Sequence, residues 1–302
     1  MARRILADTL PYLGIAPQNT ADGAAIIDVA VPNLKNKSVE EAKKLLKDAG
    51  LHGAVKEKTG FDESELDGFT RAADSLFLPY DEGLGIHKQD SSFLDKPLWD
   101  LAATPEEDFP LLLHYHPLYL YRHQVCKQAD TVLAHFLFEE GVPEDALRRS
   151  YEYYEKITTH DSSLSSCVFG VMASRLGFAE KAYGYFLDTL RTDLDNVHGN
   201  TRDGLHTANL GGVWLSLVCG FAGMRLNADG LHFSFSLPEQ WKGYSFRIRY
   251  RGSILRICVE RGQVEIELES GDAVSVSICG VRFFVEGLLK LPLQLSPRPK
   301  TV

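Results

Sequence analysis

An eight-residue polar stretch is the first feature of this sequence that could do chemistry. It consists of Thr158-Thr159-His160-Asp161-Ser162-Ser163-Leu164-Ser165, and it runs into a segment with helical apolar spacing. Either Ser162 or Ser163 would cap that helix. A helix start offers unpaired N–H groups and the positive end of the helix dipole, so this octet could bind a phosphate or a similar anion. Capping alone is the simpler interpretation of the octet, and it stays open at this point.

Two further polar clusters stand beside predicted helices. Asn200-Thr201-Arg202-Asp203-Gly204-Leu205-His206 would open a helix, much as the octet does, and Lys127-Gln128 interrupts an apolar helical pattern over 118–138. Two helix starts and one lysine directed at the same place would form a phosphate pocket with room for a sugar. Taken singly, Lys127 could be a surface residue and His206 a core imidazole, and both alternatives stay open.

The elements that would position these residues change in type along the chain. Apolar spacing predicts helices over 62–77, 118–138, 144–155, 164–176, 179–191 and 206–224, which suggests a bundle or an (α/α) toroid. After about Leu226 the apolar period becomes two, and it predicts strands over 244–250, 255–259, 264–268 and 274–278 with glycines between them. The predicted fold is mainly α with a C-terminal antiparallel β domain. The predicted domains are 1–225, with a small α+β insertion at about 15–60, and 226–302.

Composition narrows the classes of function. With 44% hydrophobic and 24% charged residues among 302, the chain is typical of globular proteins. A net charge of −9 and the lack of a basic cluster argue against a nucleic-acid partner. No run approaches the ~20 apolar residues of a membrane span, and no signal peptide is recognised. Five scattered cysteines are typical of thiols in a reducing compartment, so we expect a cytoplasmic protein.

Five motifs in register resemble glycoside hydrolase family 65, which contains maltose, trehalose, kojibiose and nigerose phosphorylases. They are Tyr80-Asp81-Glu82 with Gly85-Ile86-His87-Lys88-Gln89-Asp90, Lys127-Gln128-Ala129-Asp130, the octet, Gly199-Asn200-Thr201-Arg202-Asp203-Gly204-Leu205-His206, and Leu237-Pro238-Glu239-Gln240-Trp241. The resemblance implies the later part of an (α/α)6 barrel followed by a small antiparallel β-sandwich. It also implies cleavage of a disaccharide with inversion, in which phosphate replaces water and β-glucose 1-phosphate is released.

The resemblance also implies roles for particular residues. Lys127 and Gln128 match contacts to the hydroxyl groups of the transferred glucosyl unit, and His160 and Asp161 match residues that brace a loop. The positions that match the phosphate site are Ser162, Ser163, Gly204 and His206. No metal or organic cofactor is implied, since inorganic phosphate is the co-substrate. A homodimer and a β-phosphoglucomutase as metabolic neighbour are further expectations.

The general acid of the family is expected outside this sequence. It lies in an Asp-Glu-Tyr-type motif that the resemblance places before the part matching Met1, so we expect no catalytic residue here. The chain would be the C-terminal part of a phosphorylase that needs a missing N-terminal half, and a partial barrel would leave apolar helix faces exposed. One alternative is a hydrolytic α-glucosidase or trehalase, although the octet offers only Asp161 to activate water. Another is a non-catalytic carbohydrate-binding fragment.

Overall fold

The computed structural model describes residues 63–227 and 229–293. The chain divides into two compact units, 1–78 and 79–302. The described part of the first unit contains helix α1 (Glu63–Ser75), which was predicted over 62–77. The insertion predicted at about 15–60 lies outside the described residues, and the domain division at 225/226 stays a prediction. All the elements below belong to the second unit.

Short elements open the second unit, before its longer helices. Strands β1 and β2 pair as a small antiparallel hairpin, two 3-10 turns follow, and two single-turn helices come next. Their bounds are β1 Tyr80–Asp81, β2 Ile86–His87, turns Phe93–Asp95 and Glu106–Asp108, α2 Leu111–His114 and α3 Pro117–Leu120.

Five longer helices follow. They are α4 Asp130–Leu137, α5 Glu144–Glu155, α6 Ser165–Arg175, α7 Ala179–Arg191 and α8 Thr207–Leu215. The bounds predicted for α5 and α7 are confirmed. Pro143 precedes α5, and Glu144 and Asp145 place negative charge in its first turn, where the helix dipole favours it. Gly177 follows α6 with φ +83°, a conformation in which glycine is favoured. In the described part of the chain, no helix is long and apolar enough to cross a lipid bilayer.

The single helix predicted over 118–138 is wrong. Residues 117–120 and 130–137 form the separate helices α3 and α4, and the chain between them is not helical. The reason is a tertiary contact: the N–H of Cys126 donates to the carbonyl of Ile157, and the carbonyl of Cys126 accepts from the N–H of Thr159. These two bonds commit the backbone to a parallel bridge, so it cannot form helical hydrogen bonds there.

The uniform helix predicted over 206–224 is also wrong in its second half. Helix α8 ends at Leu215, and Ser216–Phe221 continues as a π-helix. Its carbonyl groups are bound from outside the helix. Arg225 Nη1 donates to the carbonyl of Cys219 at 2.7 Å, and Ser174 Oγ donates to the carbonyl of Gly220 at 2.9 Å.

Eight strands form two four-stranded sheets after the helices. The bounds are β3 Arg225–Asn227, β4 Gly230–Phe233, β5 Gly243–Tyr250, β6 Ser253–Glu260, β7 Gln263–Ser270, β8 Val274–Ile278, β9 Val281–Val285 and β10 Leu288–Pro292. One sheet has the order β10-β7-β6-β5 and the other β3-β4-β8-β9. A helical region followed by C-terminal sheets is therefore confirmed as the fold class. Strands β5 to β8 were predicted, whereas β3, β4, β9 and β10 were not.

The pairing is not wholly antiparallel, contrary to the prediction. Strands β4 and β8 pair in parallel, with Leu231 opposite Val276. Between these strands the chain builds three strands of the other sheet, and it then returns in the same direction as β4. The remaining pairs are antiparallel, and Gly252, Gly262 and Gly280 turn the chain between successive strands with positive φ.

Helix α6 lies at the centre of the unit. All but three of its side chains are buried, and its Phe169 and Val171 have no exposed surface. Phe169 packs in the apolar cluster of the helices, whereas Val171 packs in the cluster that includes residues of both sheets. A helix that is buried on nearly every side must be held by close contacts with its neighbours.

Two glycines allow those close contacts. A Cβ atom on Gly170 would lie 3.1 Å from Tyr185 Cβ of α7. A Cβ atom on Gly212 of α8 would lie 2.9 Å from both Cβ and Sγ of Cys167 in α6. At a rise of about 1.5 Å per residue, the starts of α6 and α8 lie roughly 3 and 8 Å along their axes from that contact. The two polar helix starts are therefore brought near the same place.

The outer face of α7 and α8 exposes large apolar side chains. Leu210 and Trp214 lie one turn apart on α8 and are 50% and 47% exposed, and Leu190 and Leu194 near the end of α7 are 39% and 76% exposed. Exposed apolar helix faces were expected from a partial barrel. The homodimer stays a prediction.

Adjacent glycines in α8 give a matched test of the close contact. Gly212→Ala should lower the free energy of unfolding by about 1–3 kcal/mol, because its methyl group overpacks Cys167. Gly211→Ala adds the same methyl group where no atom lies within 4 Å. That variant should raise the free energy of unfolding by up to about 1 kcal/mol through helix propensity. Urea denaturation measures both, and equal effects from the two substitutions would show that the contact at Gly212 is not tight.

Candidate functional site

The polar octet forms a turn before α6, and its capping differs from the prediction. The N-cap residue is Leu164, and no side chain caps the helix. Ser162 instead uses its carbonyl to accept from the N–H of Ser165 at 3.0 Å, and its Oγ accepts from the N–H of Leu164 at 3.4 Å. The expectation that Ser162 or Ser163 is the N-cap is therefore wrong, because the turn closes before the helix begins. The Ser163 hydroxyl makes no hydrogen bond within the described residues.

His160 holds the octet against the core. Its backbone has φ +57°, in the left-handed region, and its Nδ1 lies 2.9 Å from Ser165 Oγ. The ring packs edge-on against Phe169, with centroids 4.8 Å apart, and lies 5.4 Å from Tyr185. Burial lowers the pKa of His160 to about 4, although the carboxylate of Glu155 opposes the shift. The imidazole is therefore neutral at pH 7.

The carboxylate of Asp161 contacts the start of α2. Its Oδ2 accepts from the N–H of Leu111, the first residue of α2, at 3.0 Å. The carboxylate also occupies the positive end of that short helix. Both contacts tie the octet to α2, and they engage the one carboxylate that the octet contains.

Lys127 and Gln128 lie beside the octet, in the segment before α4. The parallel bridge between Cys126 and Thr158 sets their register, so Lys127 lies next to Thr159 on the neighbouring segment. Lys127 is exposed, and its ammonium group makes no ion pair within the described residues. Gln128 donates its amide to Asp130 Oδ1 at 2.9 Å. A contact between Gln128 and a sugar hydroxyl would have to share or replace this bond.

His206 is the N-cap of α8, and Asp193 binds it twice. Asp193 Oδ1 lies 2.5 Å from His206 Nδ1, and Asp193 Oδ2 accepts from the backbone N–H of His206 at 2.9 Å. The hydrogen bond from His206 holds the pKa of Asp193 below its usual value. Asp193 was not recognised from the sequence. The available signal was an acidic residue at the end of a predicted helix, which is common.

Gly204 and His198 complete the second loop. Gly204 ends a 3-10 turn (Thr201–Asp203) with φ +134°, a conformation that a side chain would strain. The His198 ring lies 5.7 Å from the His206 ring, and the charge of Asp161 reaches it. Since Asp161 belongs to the octet, the loop that ends at His206 lies beside the octet.

In this arrangement the donors are available for a ligand, whereas the carboxylates already accept hydrogen bonds from the protein. Ser163 and Lys127 have no partner for their polar groups within the described residues, whereas Asp161 and Asp193 both accept hydrogen bonds from the protein. Anion binding needs available donors and no unpaired carboxylate facing the ligand. The assignment of the phosphate-binding, sugar-binding and loop-bracing residues stays a prediction.

A cavity of about 500 Å³ lies elsewhere, where the helices meet the sheets. None of the eight predicted site residues lines it. Two arginines in its lining pair with the same glutamate: Arg225 Nε lies 2.9 Å from Glu139 Oε1, and Arg175 Nε lies 3.3 Å from Glu139 Oε2. Through Glu139 these ion pairs join α6 to the start of β3, so we assign the cavity to the packing of the two regions.

No cluster of three His, Cys, Asp or Glu side chains with the geometry of a metal site occurs within residues 63–227 and 229–293.

Two family profiles match most of the chain. The profile of the glycosyl hydrolase family 65 central catalytic domain matches residues 28–215, and that of the family 65 C-terminal domain matches residues 224–285. The chain belongs to glycosyl hydrolase family 65. The boundary between the two family 65 matches falls where α8 and the π-helix give way to β3.

Individual relatives in family 65 are disaccharide phosphorylases. The chain is 50% identical to an α,α-trehalose phosphorylase of Geobacillus stearothermophilus, over 81% of this chain and 32% of that protein. It is 34% identical to a maltose phosphorylase of Bacillus subtilis, over 72% of this chain and 28% of that protein. A solved structure from the human microbiome, to which kojibiose phosphorylase activity is ascribed, has 26% identity and a TM-score of 0.72. That match covers 83% of this chain and 34% of the solved one. The chain thus spans about a third of these relatives.

The buried His160 gives a pH test of the loop. The unfolded chain binds a proton near pH 6.5 and the folded chain only near 4, so the unfolded state holds more protons between these values. The free energy of unfolding should therefore fall by about 3 kcal/mol through this residue as pH drops through that window. His160→Asn tolerates the left-handed backbone and cannot protonate, so it should flatten the dependence.

Urea denaturation at a series of pH values measures this slope. An unchanged slope in His160→Asn would mean that this imidazole protonates in the folded chain.

Proposed function

We propose that this chain contributes the phosphate site and part of the sugar site of an inverting disaccharide phosphorylase. The reaction transfers a glucosyl unit from a disaccharide of the trehalose, maltose or kojibiose type to inorganic phosphate and yields β-glucose 1-phosphate. The trehalose, maltose and kojibiose phosphorylases among the relatives support this reaction class. The family membership supports a partial (α/α)6 barrel followed by a β-sandwich as the arrangement of the helices and sheets.

The observation that supports the phosphate site is the approach of two polar helix starts. The contact between Cys167 and Gly212 lies about two residues from the start of α6 and about five from the start of α8, and it holds the two helices side by side. Each helix start has unpaired N–H groups and a positive partial charge, and the two fields add where the ends are close. Ser163 adds a free hydroxyl, and His206 adds an imidazole whose Nδ1 is already engaged. We assign Ser162, Ser163, Gly204 and His206 to phosphate.

Lys127 and Gln128 are assigned to the glucosyl unit. The parallel bridge at Cys126 places them along the octet, so hydroxyl groups of a sugar next to the bound phosphate lie within their range. His160 and Asp161 brace the octet through Ser165 and the N–H of Leu111. A nucleophile that is already anionic needs oriented donors and no general base, and this set of residues provides that.

Hydrolysis is disfavoured by the position of the one carboxylate in the octet. A hydrolase would need a carboxylate that accepts a proton from water at this place. Asp161 instead accepts from the N–H of Leu111. No corresponding observation favours a carbohydrate-binding fragment without a catalytic role.

Phosphate binding tests the proposal directly. Titration calorimetry with inorganic phosphate, against chloride at equal ionic strength, should show binding of one anion per chain. Ser163→Ala should weaken that binding about tenfold, because a hydrogen bond to a charged group contributes about 1.5–3 kcal/mol. Ser275→Ala removes an exposed hydroxyl on β8 and should bind as the wild type does. Equal affinity in all three proteins would remove Ser163 from the site, and no binding by the wild type would refute the proposal.

Turnover by the purified 302-residue chain is expected to be absent. None of the residues that match the family motifs supplies the general acid that protonates the departing oxygen. Incubation with trehalose, maltose or kojibiose and phosphate should therefore release no glucose 1-phosphate. His206→Asn is the control for contamination. Product that forms with the wild type and disappears with this variant would contradict the expectation.

A further inference from the structure

Asp193 is bound to the predicted phosphate-binding histidine through both of its oxygens. One oxygen lies 2.5 Å from the ring atom Nδ1 of His206, and the other accepts the backbone N–H of the same residue at 2.9 Å. Its side chain is 11% exposed, and that of His206 is 22% exposed. A carboxylate that holds both the ring and the backbone of one residue fixes the ring relative to the helix start.

The carboxylate also determines which ring nitrogen bears the proton. A carboxylate only accepts, so Nδ1 must donate, and a neutral His206 then has its lone pair on Nε2. Nε2 makes no hydrogen bond within the described residues. Phosphate dianion has unprotonated oxygens, which need donors, and one hydroxyl, which could donate to a neutral Nε2. Only a protonated Nε2 donates to a charged oxygen, and that contact is the stronger one because opposite charges then meet.

We propose that Asp193 is a positioning residue that makes His206 take up one proton when phosphate dianion binds. This inference rests on the proposed phosphate site. Before binding, the species are neutral His206, one proton from solvent and one phosphate dianion. After binding, they form an ion pair of the imidazolium and the dianion. The carboxylate of Asp193 stabilises the imidazolium from the side opposite to the ligand, because opposite charges in contact favour the charged form.

The other titratable groups near His206 are consistent with this assignment. His198 faces the His206 ring at 5.7 Å. Partial burial, and then the charge of His206, lower the pKa of His198. The charges of Asp161 and Asp193 oppose this shift, and the carboxylate of Asp161 is bound to Leu111. Of these two imidazoles, His206 is the one that Asp193 contacts directly.

Calorimetry in buffers of different ionisation enthalpy measures the proton uptake. The wild type should take up close to one proton per phosphate bound at pH values where the ring of His206 is neutral in the phosphate-free protein, which its 15N shifts identify. Asp193→Asn keeps the shape of the side chain without its charge, and it should lose most of the uptake and bind phosphate at least tenfold more weakly. Asp193→Glu keeps the charge and should restore part of the uptake.

Asp195→Asn is the matched control. Asp195 lies two residues away and is paired with Arg191 through two bonds of 2.6 Å. Since it does not contact His206, this variant should retain the wild-type uptake and affinity. Wild-type uptake and affinity in Asp193→Asn would overturn the inference and leave the proposed function intact. A wild type that binds no phosphate would overturn the proposed function, and this inference with it.

A spectroscopic measurement covers the case in which Asp193→Asn does not fold. The 15N ring shifts of His206 in the phosphate-free wild type should show the tautomer with the proton on Nδ1. After phosphate is added, both ring nitrogens should show the shifts of an imidazolium. A proton on Nε2 in the free protein, or a ring that stays neutral in the bound one, would overturn the inference.

Discussion

The contact between Gly212 and Cys167 is the constraint on which the candidate site depends. Helix α6 is buried on nearly every side, so its position is set by what α7 and α8 allow. A hydrogen atom in place of a side chain at Gly212 lets α8 approach α6 closely, within the first turn of α6 and the second turn of α8. A larger residue would separate the two N-termini, and their positive ends would no longer act on one ligand. One packing contact in the core therefore also determines how close two positive helix ends lie at the surface.

Around these two helix starts, acceptors are engaged and donors are left available. Asp161 is held by the first N–H of α2, and Asp193 is held by the ring and backbone of His206. His160 is buried, neutral and bound to Ser165, so it adds rigidity without charge. In the proposed site, an oxyanion would meet hydroxyl, ammonium and backbone donors. The carboxylate in the octet that could activate water, Asp161, accepts a hydrogen bond from α2 instead.

Another part of the helical region is connected to the sheets through Arg225. Arg225 begins β3 and binds Glu139, the carbonyl of Cys219 in the π-helix and the carbonyl of Met224. Its guanidinium also lies over the ring of Phe136, 4.9 Å from the centroid. One cation thus satisfies a carbonyl group of the π-helix, at Cys219, and another just after it, at Met224. The cavity beside it lies where the helices meet the sheets, and the ion pairs of Glu139 with Arg225 and Arg175 are part of its lining.

The local pattern of apolar residues determined whether most segments are helices or strands, and it determined where several of them begin and end. The apolar periods of 3.6 and 2 recovered α5, α7 and β8, since burial of one face of each leaves a direct trace in the sequence. The polar octet and the segment ending at His206 were recognised by a different local signal, because helix starts have a characteristic polar composition. Only the tertiary structure decided that Lys127 stands beside Thr159 and not on a helix, that β4 pairs in parallel with β8, and that Asp193 holds His206. Each of these depends on a partner distant in sequence, and no local period or composition records which distant residues will meet.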